Sequence, residues 1–223
     1  IILSARFKLK NIETAYIRQE SIKAQNLDEI FKLFEESESW TYNVAWIDCL
    51  QTGKNIGRSI LMRGEHAFKH ELPKKLQQNP LRLKQKFIPK VPFYFPDFML
   101  NKWSVRLFNY LYFNKQQKKE VKNFVNYETF FYPLDVVNDW NKIYGKKGFI
   151  QYQMVILKAQ GKEGMRKILD TIAKSGNGSL LAVLKLFGKE NPLAYNAFPL
   201  EGYTLALDFK VNSKLTKLVA DLD

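Results

Sequence analysis

Gln151 and Gln153 interrupt an otherwise apolar run from Phe149 to Val155. In a strand, residues two apart point to the same face, so both amides lie together opposite Ile150, Tyr152 and Met154. The same oddity recurs along the chain. In Ala182–Phe187, Lys185 and Phe187 share a face against Leu184 and Leu186. In Tyr203–Asp208, Thr204, Ala206 and Asp208 oppose Leu205 and Leu207, and in Tyr42–Ile47, Tyr42, Val44 and Trp46 line up. Amides and hydroxyls donate and accept hydrogen bonds, lysine supplies a cation, and the rings supply flat apolar surface. If these strands are neighbours, one sheet face is buried and the other offers the groups of a ligand site. A plain antiparallel sheet with one wet face has the same alternation. Trp46 and Phe187 argue for something that covers it, because such rings are costly to leave in water.

Other chemistry has little support. The two histidines, His66 and His70, stand four apart, a metal-ligand spacing on a helix, but no His-Glu-x-x-His pattern surrounds them, and no metal is expected. Gly161–Gly164 and Gly176–Gly178 lack the Gly-Lys-Ser/Thr ending of a phosphate loop. There is no Ser-His-acid or Cys-His set. The single cysteine, Cys49, lies in an apolar run and reads as a small core residue.

The elements that must position the polar face are mostly legible. Residues 1–22 read as two strands. Asn26 caps a helix over about 26–37, with Glu29 completing a capping box and Leu27, Ile30, Phe31 and Phe34 inward. Trp40–Leu50 and Ile56–Arg63 read as a hairpin about Gly53. Phe130–Leu134 reads as a strand, and Asp135 as the cap of a short helix that ends at Gly145. Phe149–Leu157 is a strand, Gly164–Lys174 a helix stopped by Gly176, and Leu180–Phe187 and Tyr203–Val211 are strands. Asn212 caps a last helix. The order strand–helix–strand–strand thus occurs twice, over 13–63 and 149–211. The expected class is α+β, a large antiparallel sheet with helices on one face and a polar, aromatic second face, in one domain over 1–223.

Residues 68–124 depart from this pattern. They hold prolines at 73, 80, 89, 92 and 96, dense aromatics, and a helix near 100–112. Thirteen Lys and Arg stand against three acids there (Glu71, Asp97, Glu120), a net +10 of the chain's +13. Such an excess suits an anionic partner. No apolar run approaches the roughly 20 residues of a spanning helix. Both ends read as cut rather than natural: the chain starts in strand-like alternation and stops at Asp223 inside helical spacing.

These strands also carry a resemblance. Tyr42-Asn43-Val44-Ala45-Trp46-Ile47-Asp48, Gly57-Arg58, Arg63-Gly64, Phe131-Tyr132-Pro133-Leu134-Asp135, Trp140-Asn141, Gly148–Gln153, Leu184–Gly188 and Gly202-Tyr203 with Asp208-Phe209 resemble the FAD-linked oxidases of the vanillyl-alcohol oxidase type, over nearly all of the chain outside 68–124. Among its members are oxidases of sugar lactones, alditols and polyprenyl-phosphate sugars. The resemblance implies that this chain is the substrate-binding domain alone. The FAD domain and a family lysine near the flavin would lie elsewhere in the same polypeptide, and the isolated domain would not hold FAD. It implies oxidation of a sugar or lipid-linked sugar alcohol by hydride transfer to flavin. Trp46, Phe131, Tyr132, Gln151, Lys185, Phe187 and Thr204 would line the substrate pocket, Lys185 binding substrate oxygens. Gln153 and Ala206 would face the flavin. Phe131 stands where the family has a pocket tyrosine, Thr204 and Ala206 where it has Asn and Cys, and Val44 where it has Ser, which leaves the substrate open.

A lipid-linked substrate also gives residues 68–124 a role. Lys84, Lys86 and Lys90 beside Phe93, Tyr94 and Phe95 would suit an anionic membrane surface, at the inner membrane face or in the cytoplasm; a solvated loop is the other reading. A basic α+β module for nucleic acid or another anionic surface, without catalysis, is the alternative. It has no RRM, KH or Gly-rich signature and puts its charge off the sheet, so no nucleic acid is expected.

Overall fold

The computed structural model describes residues 3–83, 87–190, 198 and 200–223. Its strands are β1 (Tyr16–Ala24), β2 (Tyr42–Ile47), β3 (Ser59–His66), β4 (Glu120–Asn126), β5 (Phe149–Leu157), β6 (Ala182–Phe187) and β7 (Gly202–Lys210). Its helices are α1 (Leu27–Glu35), α2 (Lys74–Gln77), α3 (Lys102–Lys115), α4 (Tyr127–Phe131), α5 (Gly161–Ser175) and α6 (Leu215–Leu222).

All seven strands join one antiparallel sheet in the order β4-β1-β3-β2-β6-β7-β5. The two strand–helix–strand–strand units are both present, as β1-α1-β2-β3 and β5-α5-β6-β7. They meet edge to edge where Trp46 faces Val183 and Ala45 faces Leu184. Strand order within the first unit, 1-3-2, mirrors that within the second, 6-7-5, across this seam.

The core lies under one sheet face. Leu27, Ile30, Phe31 and Phe34 of α1 and Met165, Leu169 and Ile172 of α5 recur at helical spacing, so each helix turns one apolar stripe inward. They cover Ala45, Ile47, Leu61, Leu184, Leu205 and Leu207, while Leu215 and Leu218 of α6 close the edge. Each such side chain contributes about 1.5–3 kcal/mol when fully buried. The ends of these helices are set locally. Asn26 Oδ1 accepts from Glu29 N at 3.0 Å, and Gly176 adopts φ +74°, the left-handed stop expected of it. Asn212 Oδ1 accepts from Lys214 N ahead of α6.

Five expectations need correction. Residues 3–14 form no strand, and one strand starts at Tyr16. Both edges of β1 are already taken, by β3 and β4, so the preceding segment cannot pair with it as a hairpin. Phe130–Leu134 is not a strand either. Asn126 accepts from Thr129 N at 2.7 Å and turns the chain into α4, and Pro133 then opens a short 3₁₀ turn. Two 3₁₀ turns, Pro133–Val136 and Trp140–Tyr144, replace the expected short helix before Gly145. The basic segment is more structured than an excursion with one helix: α3 extends to Lys115, and its end supplies β4, which lengthens the sheet. Finally, α3 lies across the opposite sheet face from α1 and α5, so helices occupy both sides.

Candidate functional site

Strand register decides which side chains share the polar face. Trp46 stands beside Val183, Val183 beside Ala206, and Ala206 beside Gln153. Lys185 stands beside Thr204, Phe187 beside Gly202, and Asp208 beside Gln151. Seven of the nine site residues expected from the sequence therefore lie on one face of four neighbouring strands: Trp46, Gln151, Gln153, Lys185, Phe187, Thr204 and Ala206. Adjacent strands are about 4.8 Å apart, so the row from Trp46 to Gln153 is about 14 Å long.

The face has two zones. Over β2 and β6 it floors a cavity of about 650 Å³ walled by Tyr42, Trp46, Tyr112, Phe131, Tyr132, Lys185 and Phe187. Five of the expected residues thus meet at one cavity. Phe131 arrives there from α4, edge-on to Tyr42 at 4.9 Å, and not from a strand. Gly64 makes room for this corner, since a Cβ on it would meet Ile17 Cγ2 at 2.5 Å and the Phe130 ring at 2.9 Å. Over β7 and β5 the face lies outside that cavity and carries Thr204, Ala206, Gln151 and Gln153.

The cover expected over Trp46 comes from this chain's own basic segment. The Tyr112 ring lies 4.6 Å from Trp46, and Phe113 packs with Trp46 and Ile60, so Trp46 is only 5% exposed. Its indole N–H donates to Leu180 O at 3.4 Å. Trp46 is therefore a fixed floor. Asp48 anchors this arrangement. Its buried carboxylate accepts from Arg58 Nε and Nη2 at 2.9 and 2.7 Å, from Leu50 N at 3.1 Å, and from Asn109 Nδ2 of α3 at 2.7 Å. A buried charge is tolerable only when so thoroughly bonded.

The polar groups are held as well. Gln153 Nε2 donates to Thr204 Oγ1 at 3.1 Å, and Gln151 Nε2 to Asp208 Oδ1 at 3.1 Å. Their carbonyl ends stay available, on side chains that are exposed. Among the described residues no carboxylate pairs with the Lys185 ammonium, and the residue is exposed. Asp208 is different. It is 1% exposed, its Oδ2 has no partner, and burial pushes its pKa up despite the Gln151 bond. Its place on the face was readable from the strand alternation; its burial was not. Tyr42, Met62 and Tyr112 also wall the cavity and were not among the expected site residues. The alternation through Trp46 pointed to Tyr42, but nothing local placed Met62 or Tyr112 there.

Several other expectations can be placed. His66 ends β3 with its ring 5.7 Å from Tyr42, while His70 lies in a later 3₁₀ turn stacked on Phe68, so the pair shares no helix face. Among the described residues no cluster of His, Cys, Asp and Glu could hold a metal. Cys49 is buried against Ser179, as expected of a core residue. Lys84 and Lys86 lie outside the described residues. Lys90 pairs with Asp139 at 3.3 Å.

Comparison with known proteins agrees with the motifs read from the sequence. Decaprenylphosphoryl-beta-D-ribose oxidase of Mycolicibacterium smegmatis is 33% identical over 227 residues, covering all of this chain and 48% of that protein. An uncharacterized protein in the mprA 5' region of Streptomyces coelicolor is 24% identical over 233 residues, covering all of this chain and 62% of that protein. No family model matches. The chain spans about half the length of the first relative and under two thirds of the second.

Proposed function

We propose that this chain is the substrate-binding part of an FAD-linked oxidase that acts on an alcohol of a sugar or a lipid-linked sugar. The observation that carries the reading is the division of one sheet face into two zones, an aromatic cavity with an exposed lysine and, beside it, an open strip of amides. Similarity to a decaprenylphosphoryl-ribose oxidase over the whole chain supports it.

The residues present fit a flavin on the strip. Ala206, between Val183 and Gln153, keeps the surface flat, and Gln151 and Gln153 present amides suited to the polar edge of a planar ring system. When bound, FAD supplies the acceptor for the hydride that leaves the alcohol carbon, while the hydroxyl proton goes to a base and the C–O bond becomes C=O. This chain's residues bind and orient. The ammonium of Lys185 holds substrate oxygens, a charge-assisted contact of about 1.5–3 kcal/mol. Phe131, Tyr132 and Phe187 exclude water from the reacting carbon and pack on the sugar or the first units of a lipid tail. Asp208 fixes the Gln151 amide and so its direction.

The test is anaerobic titration of the full-length protein with sugar alcohols, sugar lactones and lipid-linked pentoses, followed through the oxidised-flavin absorption band. Bleaching by one of these classes, weakened in Lys185→Ala through KM more than kcat, is the expected result. A full-length protein that takes up no flavin, or whose flavin none of these substrates reduces, would overturn the reading.

A further inference from the structure

We infer that the outer face of α3, together with a lysine-lined cavity at its N-terminal end, is a docking surface for an anionic phospholipid membrane. Helix α3 is apolar on two sides. Val105, Asn109 and Phe113 face inward and are buried. Trp103, Leu107, Tyr110 and Leu111, at helical spacing i, i+4, i+7 and i+8, form a second row that points outward. Trp103 is 73% exposed, and the other three are exposed by more than half. This row does not belong to a loose loop. The helix starts at an Asn101 cap that accepts from Trp103 N and Ser104 N, and the buried Asn109–Asp48 bond pins its middle to the sheet. A rigid, exposed apolar row of this size marks a binding surface.

Charge selects the occupant. From Asn101 to Lys119 the chain carries five Lys and Arg and no acid. Next to Trp103 lies a cavity of about 480 Å³ lined by Lys102, Lys174, Lys210 and Lys214, from three separate parts of the chain. Lys210 is engaged by Asp97. Among the described residues no carboxylate pairs with Lys102, Lys174 or Lys214. Lysine is depleted from the cores of protein–protein interfaces, so a protein partner would have to leave these cations unpaired or supply matching acids. A membrane interface satisfies both features at once: the aromatic and leucine side chains enter the headgroup–acyl boundary, and lipid phosphates meet the lysines. No helix among the described residues is long and apolar enough to cross a membrane. The inner side of the same helix walls the site cavity through Tyr112. Docked this way, α3 would hold that cavity at the bilayer edge, where a substrate with a lipid tail enters; this last step rests on the proposed function.

The experiment is co-sedimentation of the full chain, without flavin or substrate, with vesicles of phosphatidylcholine alone or with about one third phosphatidylglycerol. Two variants accompany it, Trp103→Ser/Leu107→Ser/Leu111→Ser and Lys102→Glu/Lys174→Glu/Lys214→Glu, all at exposed or half-exposed positions, with folding checked by circular dichroism. The expected result is salt-sensitive binding to the anionic vesicles only, reduced at least tenfold in each variant. Absence of binding to anionic vesicles, or undiminished binding by either variant, overturns the inference. So does gel filtration showing a dimer that the serine variant dissociates, since the row would then be covered by a second copy. Flavin bleaching by a soluble sugar is read separately, so failure of lipid docking and failure of the oxidase reading are distinguishable.

Discussion

Asn109→Ala isolates the bond that holds α3 against the sheet. Asn109 and Asp48 are both fully buried, and the Asn109 Nδ2 to Asp48 Oδ1 bond is 2.7 Å. Loss of the donor leaves Oδ1 with Leu50 N alone, while Arg58 keeps both of its bonds to Oδ2. A hydrogen bond to a buried charged group is worth about 1.5–3 kcal/mol. Asn109 Oδ1 has no partner in the folded state, so its removal with the side chain returns a little of that. A net loss of about 2 kcal/mol is expected, roughly a 30-fold fall in the folding equilibrium and about 1 M in the urea midpoint at a typical slope of about 2 kcal/mol/M. The local consequence is specific. Release of α3 uncovers Trp46 from Tyr112 and Phe113, so the native tryptophan emission shifts to the red before global unfolding. Urea titration by circular dichroism and fluorescence reads both effects. A loss under about 0.5 kcal/mol with unchanged emission would refute the claim that this bond seats α3 on the cavity.

Three further outcomes are expected. Lys185→Ala in the full-length protein should raise KM about 10- to 100-fold with a smaller change in kcat, the effect of losing one charge-assisted contact; steady-state kinetics checks it. Because burial raises the Asp208 pKa, the folded state holds that proton to higher pH than the unfolded chain does. Asp208 therefore costs stability as pH rises from its ordinary value of 3.8 through the raised one, and continues to do so above it. Asp208→Asn should stabilise the chain at pH 7, with the gain shrinking towards pH 4, in denaturant titrations at the two pH values. Burial pushes the Cys49 thiol to about 12, so a colorimetric disulfide reagent should leave the native chain unlabelled and react once urea unfolds it.

The candidate site was partly written in the local pattern. Alternation along a strand depends only on the pleat, so Gln151 with Gln153, Lys185 with Phe187, and Thr204 with Ala206 could each be assigned to one face before any contact was known. The spacing of Leu27, Ile30, Phe31 and Phe34, the Asn26 cap and the Gly176 stop are local in the same sense, as is the repeated order of elements. The assignment of Phe130–Leu134 to a strand failed because aromatic β propensity is weak against a capped turn, and Asn126 starts one there.

Other features depend on closures between distant parts of the chain. No local signal announces that β4, at the end of a basic segment, returns to pair with β1, or that α3 crosses to the polar face. The second of these is secured by contacts between distant residues, the bond from Asn109 to Asp48, 61 positions apart, and the packing of Tyr112 and Phe113 on Trp46. Burial of Asp208 is of this kind too, since a carboxylate's environment is set by what packs around it. Residue types and their period determined which groups could act and which way each would face; only tertiary structure decided that five of them meet at one cavity and the other four lie on the strip beside it, because loop closure and desolvation are properties of the whole chain.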